Sequence, residues 1–174
     1  ELIRKTHEDL FGKNRITIGL WVGGTTTPNS VKDAVQAYDK LYRDGRDNPF
    51  VMLKCPWCGA QMGPVMKNNH LWELPGYKKV PGARRSFGFA FRCKNTACDF
   101  SNEDLPLYVI DEYIYATPPT LLLGTVDKFA MLPFRPEAQT LFGYDNGVKK
   151  TSPDLIIQDE LHLISGPLGS MVGH

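Results

Sequence analysis

Long apolar runs and a secretory leader are both absent from this chain of 174 residues. No stretch reaches the roughly 18 consecutive apolar residues that a membrane-spanning helix needs, so the sequence predicts no membrane partner. The first residues mix charged and apolar side chains and lack the basic-then-apolar order of a secretory signal. The chain begins with Glu1 and not with methionine, which leads us to expect that it is cut from a longer protein.

The apolar residues that are present follow the spacing of alternating strands and helices. Hydrophobic side chains make up 42% of the chain, which is enough for a real core. Ser30 followed by Asp33 predicts the capped start of a helix. Strands are predicted at 15–22, 107–115, 120–123 and 154–158, and helices at 31–43 and 126–131. Strands separated by helices favour a parallel sheet, so we predict an α/β domain formed by residues 1–50 and 105–174.

All the cysteines lie between these two parts, in two closely spaced pairs. Cys55 and Cys58 form a C-x-x-C motif, and Cys93 and Cys98 form a C-x-x-x-x-C motif. Such pairs each turn two sulfurs toward one point, and together they complete the tetrahedral thiolate shell of structural Zn²⁺. Two disulfides or a redox C-x-x-C are the alternatives, but disulfides need an oxidising compartment. We therefore predict a zinc ribbon inserted at residues 51–104, with a closed shell in which His7 and His70 take no part.

The predicted insertion also carries basic and aromatic side chains. Its eight Lys or Arg and four Asp or Glu give +4, which falls to about +2 with four thiolates and one Zn²⁺, so phosphate contacts are allowed but not demanded. Phe87, Phe89 and Phe91 share one face of a predicted strand. They form either a base-stacking platform beside Arg84, Arg85 and Arg92 or the core of the ribbon, and we favour the core. We expect zinc removal to unfold residues 51–104 and to leave the flanking sheet mostly intact.

Two carboxylates follow the last predicted strand. Asp159 and Glu160 come directly after residues 154–158, and His162 lies two positions farther on. At the carboxyl end of a strand, an Asp can hold Mg²⁺ and the next Glu can activate the water that attacks a γ-phosphate. Acidic pairs also follow strands simply as solvated turn residues. These residues alone leave the two interpretations open.

A second polar segment follows the strand predicted at 120–123. It contains Gly124, Thr125, Asp127 and Lys128. A threonine hydroxyl and the backbone N–H groups at the start of a helix suit a nucleic-acid phosphate. The alternative is that Thr125 only caps the helix and Lys128 is solvated, and the two roles are compatible.

The order of these elements resembles the first RecA-like domain of superfamily 2 helicases. Gly23-Gly24 resembles the double-glycine element, residues 124–128 resemble motif Ib, and residues 159–162 (DELH) resemble motif II of the DExH kind. The two segments LWVGGTTTPNS and IIQDELHLISGPLGSMVG resemble segments of the large helicases of DISARM-type anti-phage systems. This resemblance implies Mg²⁺-ATP contact at Asp159, water activation at Glu160 and coupling to motif III at His162. It implies nucleic-acid backbone contact at Gly23, Gly24, Thr125 and Asp127, with Lys128 as an addition.

The chain also departs from the helicase pattern. It contains no G-x-x-x-x-G-K-[ST] loop for the β- and γ-phosphates, and no motif III or second RecA-like domain follows residues 159–162. We therefore expect a piece that is inactive alone, prone to self-association, and completed by the remaining helicase domains of its parent. The resemblance implies a cytoplasmic prokaryotic protein that acts on nucleic acid, with DNA expected. The alternative is a non-catalytic zinc-ribbon module that binds nucleic acid or protein.

Overall fold

A computed structural model describes residues 1–68, 71–83, 86–145 and 147–159. The first part contains α1 (Leu2–Thr6), α2 (Glu8–Phe11), β1 (Ile18–Trp21) and α3 (Val31–Asp44). The cysteine-containing part contains β2 (Val65–Asn68), β3 (Leu71–Glu73), β4 (Tyr77–Pro81) and β5 (Phe87–Phe91). The last part contains β6 (Leu107–Tyr108), α4 (Asp111–Ala116), β7 (Leu121–Gly124), α5 (Val126–Ala130), 3-10 helices at Leu132–Phe134 and Pro136–Phe142, β8 (Tyr144–Asp145) and β9 (Val148–Lys149). No helix within these ranges is long and apolar enough to cross a bilayer.

A small parallel sheet lies at the centre of the α/β part. Its strand order is β6-β1-β7, and β1 pairs in parallel with both neighbours. Ile18 lies opposite Leu121 and Trp21 lies opposite Gly124, so β1 and β7 end at the same edge. The predictions of a mixed α/β fold and of a parallel sheet are confirmed.

Helix α3 has the start and end that its sequence predicts. The Ser30 hydroxyl oxygen accepts a hydrogen bond from the Asp33 N–H at 3.1 Å, which satisfies a donor that the helix leaves open. The helix ends at Gly45, which has φ +68°, and a Cβ there would lie 2.1 Å from the Trp72 ring. Glycine is required here both by the left-handed backbone and by the close approach of Trp72.

The prediction of a strand over residues 107–115 is wrong beyond its first two residues. Strand β6 is followed by the helix α4, in which Ile114 is buried, with Ile110 buried at its N-cap and Asp111 and Glu112 in its first turn. Two isoleucines four positions apart lie on one helical face, and carboxylates favour the positive start of a helix. The apolar content of the segment suggested a strand, whereas its spacing is that of a helix.

The prediction of a buried strand at residues 154–158 is also wrong. Residues 151–159 form no strand, and Leu155, Ile156 and Ile157 have exposed fractions of 74%, 63% and 81%. A strand needs a partner for its backbone N–H and C=O groups, and no strand of the described ranges pairs with this segment. The residues that were expected to follow a buried strand therefore follow an exposed apolar segment.

Two hydrophobic clusters hold the fold together. The larger cluster joins the cysteine-containing part to α3 and to the β6–α4 connection, since it includes Leu41, Phe50, Phe91, Cys93 and Ile110. The smaller cluster lies between the sheet and the helices that follow it and is formed by Trp21, Ile114, Ala138 and Leu141. The cysteine-containing part and α3 thus share one core, while the last part of the chain packs on the sheet through a core of its own.

Candidate metal centre and nucleic-acid interface

The four cysteines meet at one point. The Sγ atoms of Cys55, Cys58, Cys93 and Cys98 all lie within 4.8 Å of one another. Tetrahedral Zn–S bonds of about 2.3 Å place sulfurs about 3.8 Å apart, so a small contraction would complete the shell. The Sγ atoms of Cys58 and Cys93 are 3.6 Å apart, far beyond the roughly 2.05 Å of a disulfide bond. All four cysteines are free, which fits structural zinc and not a pair of disulfides.

The first cysteine pair sits on a tight backbone turn. The Cys55 N–H donates to the Ala60 carbonyl at 2.8 Å, and the Gly59 N–H donates to the Cys55 carbonyl at 2.9 Å. Gly59 has φ +74°, a conformation that glycine adopts without the steric cost that a Cβ brings. This turn brings the sulfurs of Cys55 and Cys58 to the same side.

The second pair is shaped by Asn95. Its carbonyl accepts from the Cys98 N–H at 2.9 Å, and its side-chain oxygen accepts from the Ala97 N–H at 3.1 Å. Its side-chain nitrogen donates to the Cys58 sulfur at 3.7 Å. A donor to a ligand sulfur stabilises the thiolate form, so Asn95 both bends the turn and supports the metal site.

The surroundings of the thiols differ in polarity. A hydrogen bond from the Ala60 N–H lowers the pKa of Cys58 to about 7, whereas burial raises the pKa of Cys93 to about 12. Burial also raises the pKa of Cys98. Zinc ligation needs all of these groups as thiolates, so metal binding must displace protons from the buried pair at neutral pH.

Zinc binding is therefore expected to weaken as the pH falls. Cys58 is mostly a thiolate at pH 8 and mostly a thiol at pH 6, because its pKa is about 7. Binding at pH 6 must displace this additional proton, so the number of protons released per zinc should rise by about one between pH 8 and pH 6. Calorimetric titration in buffers of different ionisation enthalpy measures this number. A constant number across the range contradicts the expectation.

The aromatic alternatives are separated by burial. Phe89 and Phe91 are buried beside Phe50 and Tyr77, so the interpretation as core applies to them. Phe87, at the start of β5, is 46% exposed, and its ring centroid lies 4.7 Å from the Lys79 ammonium nitrogen. Arg84 and Arg85 lie outside the described residues, as does His70. The core prediction thus holds for two of the three phenylalanines.

The predicted nucleic-acid residues lie at the carboxyl edge of the sheet. Gly23 and Gly24 follow β1, Thr125 follows β7, and the Thr125 N–H donates to the Trp21 carbonyl at 3.1 Å. Thr125 is exposed, and its hydroxyl makes no capping hydrogen bond to α5. Of the predicted set, Gly23, Gly24 and Thr125 therefore lie at the carboxyl ends of two adjacent strands, and Asp127 lies in the first turn of α5.

Lys128 is placed differently from its neighbours. It is 9% exposed, and its nitrogen donates hydrogen bonds to Asp111 and Asn29. The sequence analysis predicted neither partner: it placed Asp111 in a strand, and Asn29 lies far from Lys128 in the chain, in the loop before α3. The acidic first turn before Ile114 is a signal for the helix α4, although it does not indicate that Asp111 pairs with Lys128.

The predicted ATP-site residues lie near the end of the described chain. Asp159 is exposed and follows the apolar segment 155–157. Glu160 and His162 lie outside the described residues. Their predicted roles therefore stay predictions.

The chain is similar over most of its length to a known protein. No family model matches the chain. The chain is 32% identical over 199 residues to the DISARM protein DrmA of Bacillus paralicheniformis. This chain is related to a DISARM protein. The match covers 94% of the chain but 17% of the relative, so the chain spans about a sixth of the length of the protein it resembles.

Proposed function

We propose that this chain is part of an ATP-dependent superfamily 2 helicase or translocase that acts on DNA in anti-phage defence. One observation carries the proposal. The loop that begins with Gly23 and Gly24 (the double-glycine loop) and residues 124–128 (the Thr125 segment) resemble two nucleic-acid elements of such enzymes. They follow two adjacent parallel strands and lie at the same edge of the sheet. The relationship to a DISARM protein supports the defence context.

In this proposal, the carboxyl edge of the sheet binds the nucleic-acid backbone. The exposed backbone of Gly24 and the uncapped hydroxyl of Thr125 supply neutral donors, which fix the position of a phosphate without reading sequence. Gly23 lies in the same loop as Gly24, and Asp127 lies in the first turn of α5, directly after Thr125. This edge would hold one DNA strand in place while ATP-driven motion between domains moves the other parts of the protein.

The proposed nucleotide chemistry depends on the segment after residue 158. In this proposal Asp159 would hold Mg²⁺, Glu160 would position and deprotonate the attacking water, and His162 would couple nucleotide state to the rest of the domain. Mg²⁺ held there would supply charge neutralisation for the transferred phosphate. The remaining domains of the parent supply the phosphate loop, and they cover the exposed sheet face at Leu121 and Leu123, which are 50% and 53% exposed.

The cysteine site has a structural role in this proposal. A closed shell of four thiolates leaves no coordination position for water, so Zn²⁺ there stabilises the fold and takes no part in hydrolysis. Because three of the cysteines share the large core with α3, a metal at this site would also stabilise the α/β part. The metal thus supports the nucleic-acid edge indirectly.

Steady-state ATP hydrolysis by the intact parent protein, with and without DNA, tests this proposal. DNA-stimulated turnover by the parent and background rates for residues 1–174 alone are expected, because positioning groups for the phosphates are needed for phosphoryl transfer. Turnover by residues 1–174 alone would contradict the proposal that other domains of the parent supply the groups that bind the phosphates. Equal background rates in the parent would instead favour a non-catalytic zinc-ribbon binding module, for which Trp57, 58% exposed beside the cysteines, is the candidate contact.

A further inference from the structure

A buried ion pair lies behind the carboxyl edge of the sheet. The ammonium group of Lys128 on α5 donates to Oδ2 of Asp111 on α4, and the two side chains are 11% and 7% exposed. The other carboxylate oxygen of Asp111 is buried and accepts no hydrogen bond from any part of the chain that the structure describes. The charge of Asp111 is therefore balanced chiefly by Lys128, and removal of either group leaves the other buried and uncompensated.

Further hydrogen bonds extend this pair to β1. The Tyr115 hydroxyl donates to the same Asp111 oxygen at 3.3 Å and accepts from the Trp21 indole N–H at 2.9 Å. Burial, with help from the Asp111 charge, raises the pKa of Tyr115 to about 12, so its phenol stays a neutral donor. The network thus joins α4, α5 and the last residue of β1.

The same lysine reaches the double-glycine loop through Asn29. Its nitrogen donates to the Asn29 side-chain oxygen at 3.3 Å, and a Cβ on Gly24 would lie 2.7 Å from the Asn29 side-chain nitrogen. The Asn29 carbonyl also accepts from the Glu112 N–H on α4 at 3.1 Å. The loop backbone therefore packs directly on Asn29, whose side chain is held by α5 and whose backbone carbonyl is held by α4.

We infer that Lys128 and Asp111 are positioning residues that lock the double-glycine loop to the Thr125 segment, and that Lys128 does not itself contact a phosphate. This inference rests on the proposed function, because it assigns how the nucleic-acid edge is held. A lysine that binds phosphate presents its ammonium group to solvent, whereas this one is buried against a carboxylate and an amide. The position of the double-glycine loop at the carboxyl edge of the sheet is then determined by Asp111 of α4, through Lys128, and not by a direct contact of Lys128 with nucleic acid.

DNA binding by the intact parent, measured as Kd over a range of salt concentrations, tests the inference. The variants are Lys128→Met, Asp111→Asn and the double variant, with Lys40→Met and Asp47→Asn as the matched pair, because those two form an exposed ion pair near the end of α3. Lys128→Met and Asp111→Asn are each expected to weaken DNA binding at least about tenfold without changing the slope of log Kd against log salt concentration. The double variant should be no weaker than either single variant, and the Lys40 and Asp47 variants should bind nearly as wild type does.

The salt slope separates this role from a direct contact. A Lys128→Met slope reduced by about one, together with normal binding by Asp111→Asn, would mean a phosphate contact and overturn the inference. Additive losses in the double variant would do the same, because coupled groups are non-additive. Wild-type parent that binds no DNA would overturn the proposed function, and this inference with it. Hydrogen exchange that increases at residues 23–30 in Asp111→Asn, with unchanged zinc content, would support the lock and exclude general unfolding.

Discussion

Replacement of Glu160 by Gln in the intact parent protein is expected to reduce DNA-stimulated ATP hydrolysis by about 10²- to 10⁴-fold, the range that a general base contributes. Glutamine keeps the size of the side chain and its ability to orient a water molecule, but it cannot accept the proton. ATP and DNA binding should therefore persist, because Asp159 and the nucleic-acid edge are unchanged. Steady-state turnover at saturating DNA, compared with ATP binding at equilibrium, measures the two effects separately.

The matched control for Glu160→Gln is Asp154→Asn, at the start of the same segment. Asp154 is exposed and has no role in the proposed chemistry, so its variant should hydrolyse ATP at the wild-type rate. Equal loss of activity in both variants would indicate that the segment is needed only for folding. Full activity in Glu160→Gln would remove this residue from the chemistry and, with it, the interpretation of residues 159–162 as motif II.

Local signals in the sequence were sufficient for several elements. The Ser30 cap and the convergence of Cys55, Cys58, Cys93 and Cys98 are each set by a few residues and confirmed by the structure. The alternation of strands and helices also predicts a parallel sheet, which is present, although it does not say which strands pair. These features depend on backbone geometry and short spacings, which a single sequence displays.

Two failures have a common physical cause. The segments 107–115 and 154–158 are both apolar, and apolar content alone does not distinguish a strand from a helix or from an exposed chain. In the first, the spacing of Ile110 and Ile114 selects a helix. In the second, no partner strand is available among the described residues, so residues 155–157 stay exposed. Strand pairing is a long-range property and was not readable locally.

The ion pair of Lys128 with Asp111 could not be predicted from the sequence either, because it is also a contact between residues distant in the chain. The two residues lie 17 positions apart in the chain, and neither has a sequence neighbour that indicates its partner. Lys128 alone suggests an exposed cation, because an unpaired lysine is rarely buried. Its burial becomes understandable only after α4 places a carboxylate beside it.

Removal of zinc from the intact parent is expected to cause the largest loss of stability. Structural Zn²⁺ contributes an apparent ~10–16 kcal/mol in zinc-finger peptides at neutral pH. The described strands of the cysteine-containing part pair as short two-stranded sheets. A strong chelator should therefore unfold residues 51–104. Because Phe50, Phe91 and Cys93 share a core with Leu41, we also expect α3 to loosen. Hydrogen exchange resolved by segment measures both effects.

The second core sets the limit of that unfolding. Trp21, Ile114, Ala138 and Leu141 pack together without any cysteine, so their segments should keep their protection after chelation. Cys93→Ser, which removes a buried ligand, should reproduce the chelated pattern, whereas Lys94→Ala, an exposed neighbour, should not. Loss of protection throughout the chain would show that the metal holds the whole fold. An unchanged exchange pattern would show that the shared aromatic core suffices without it.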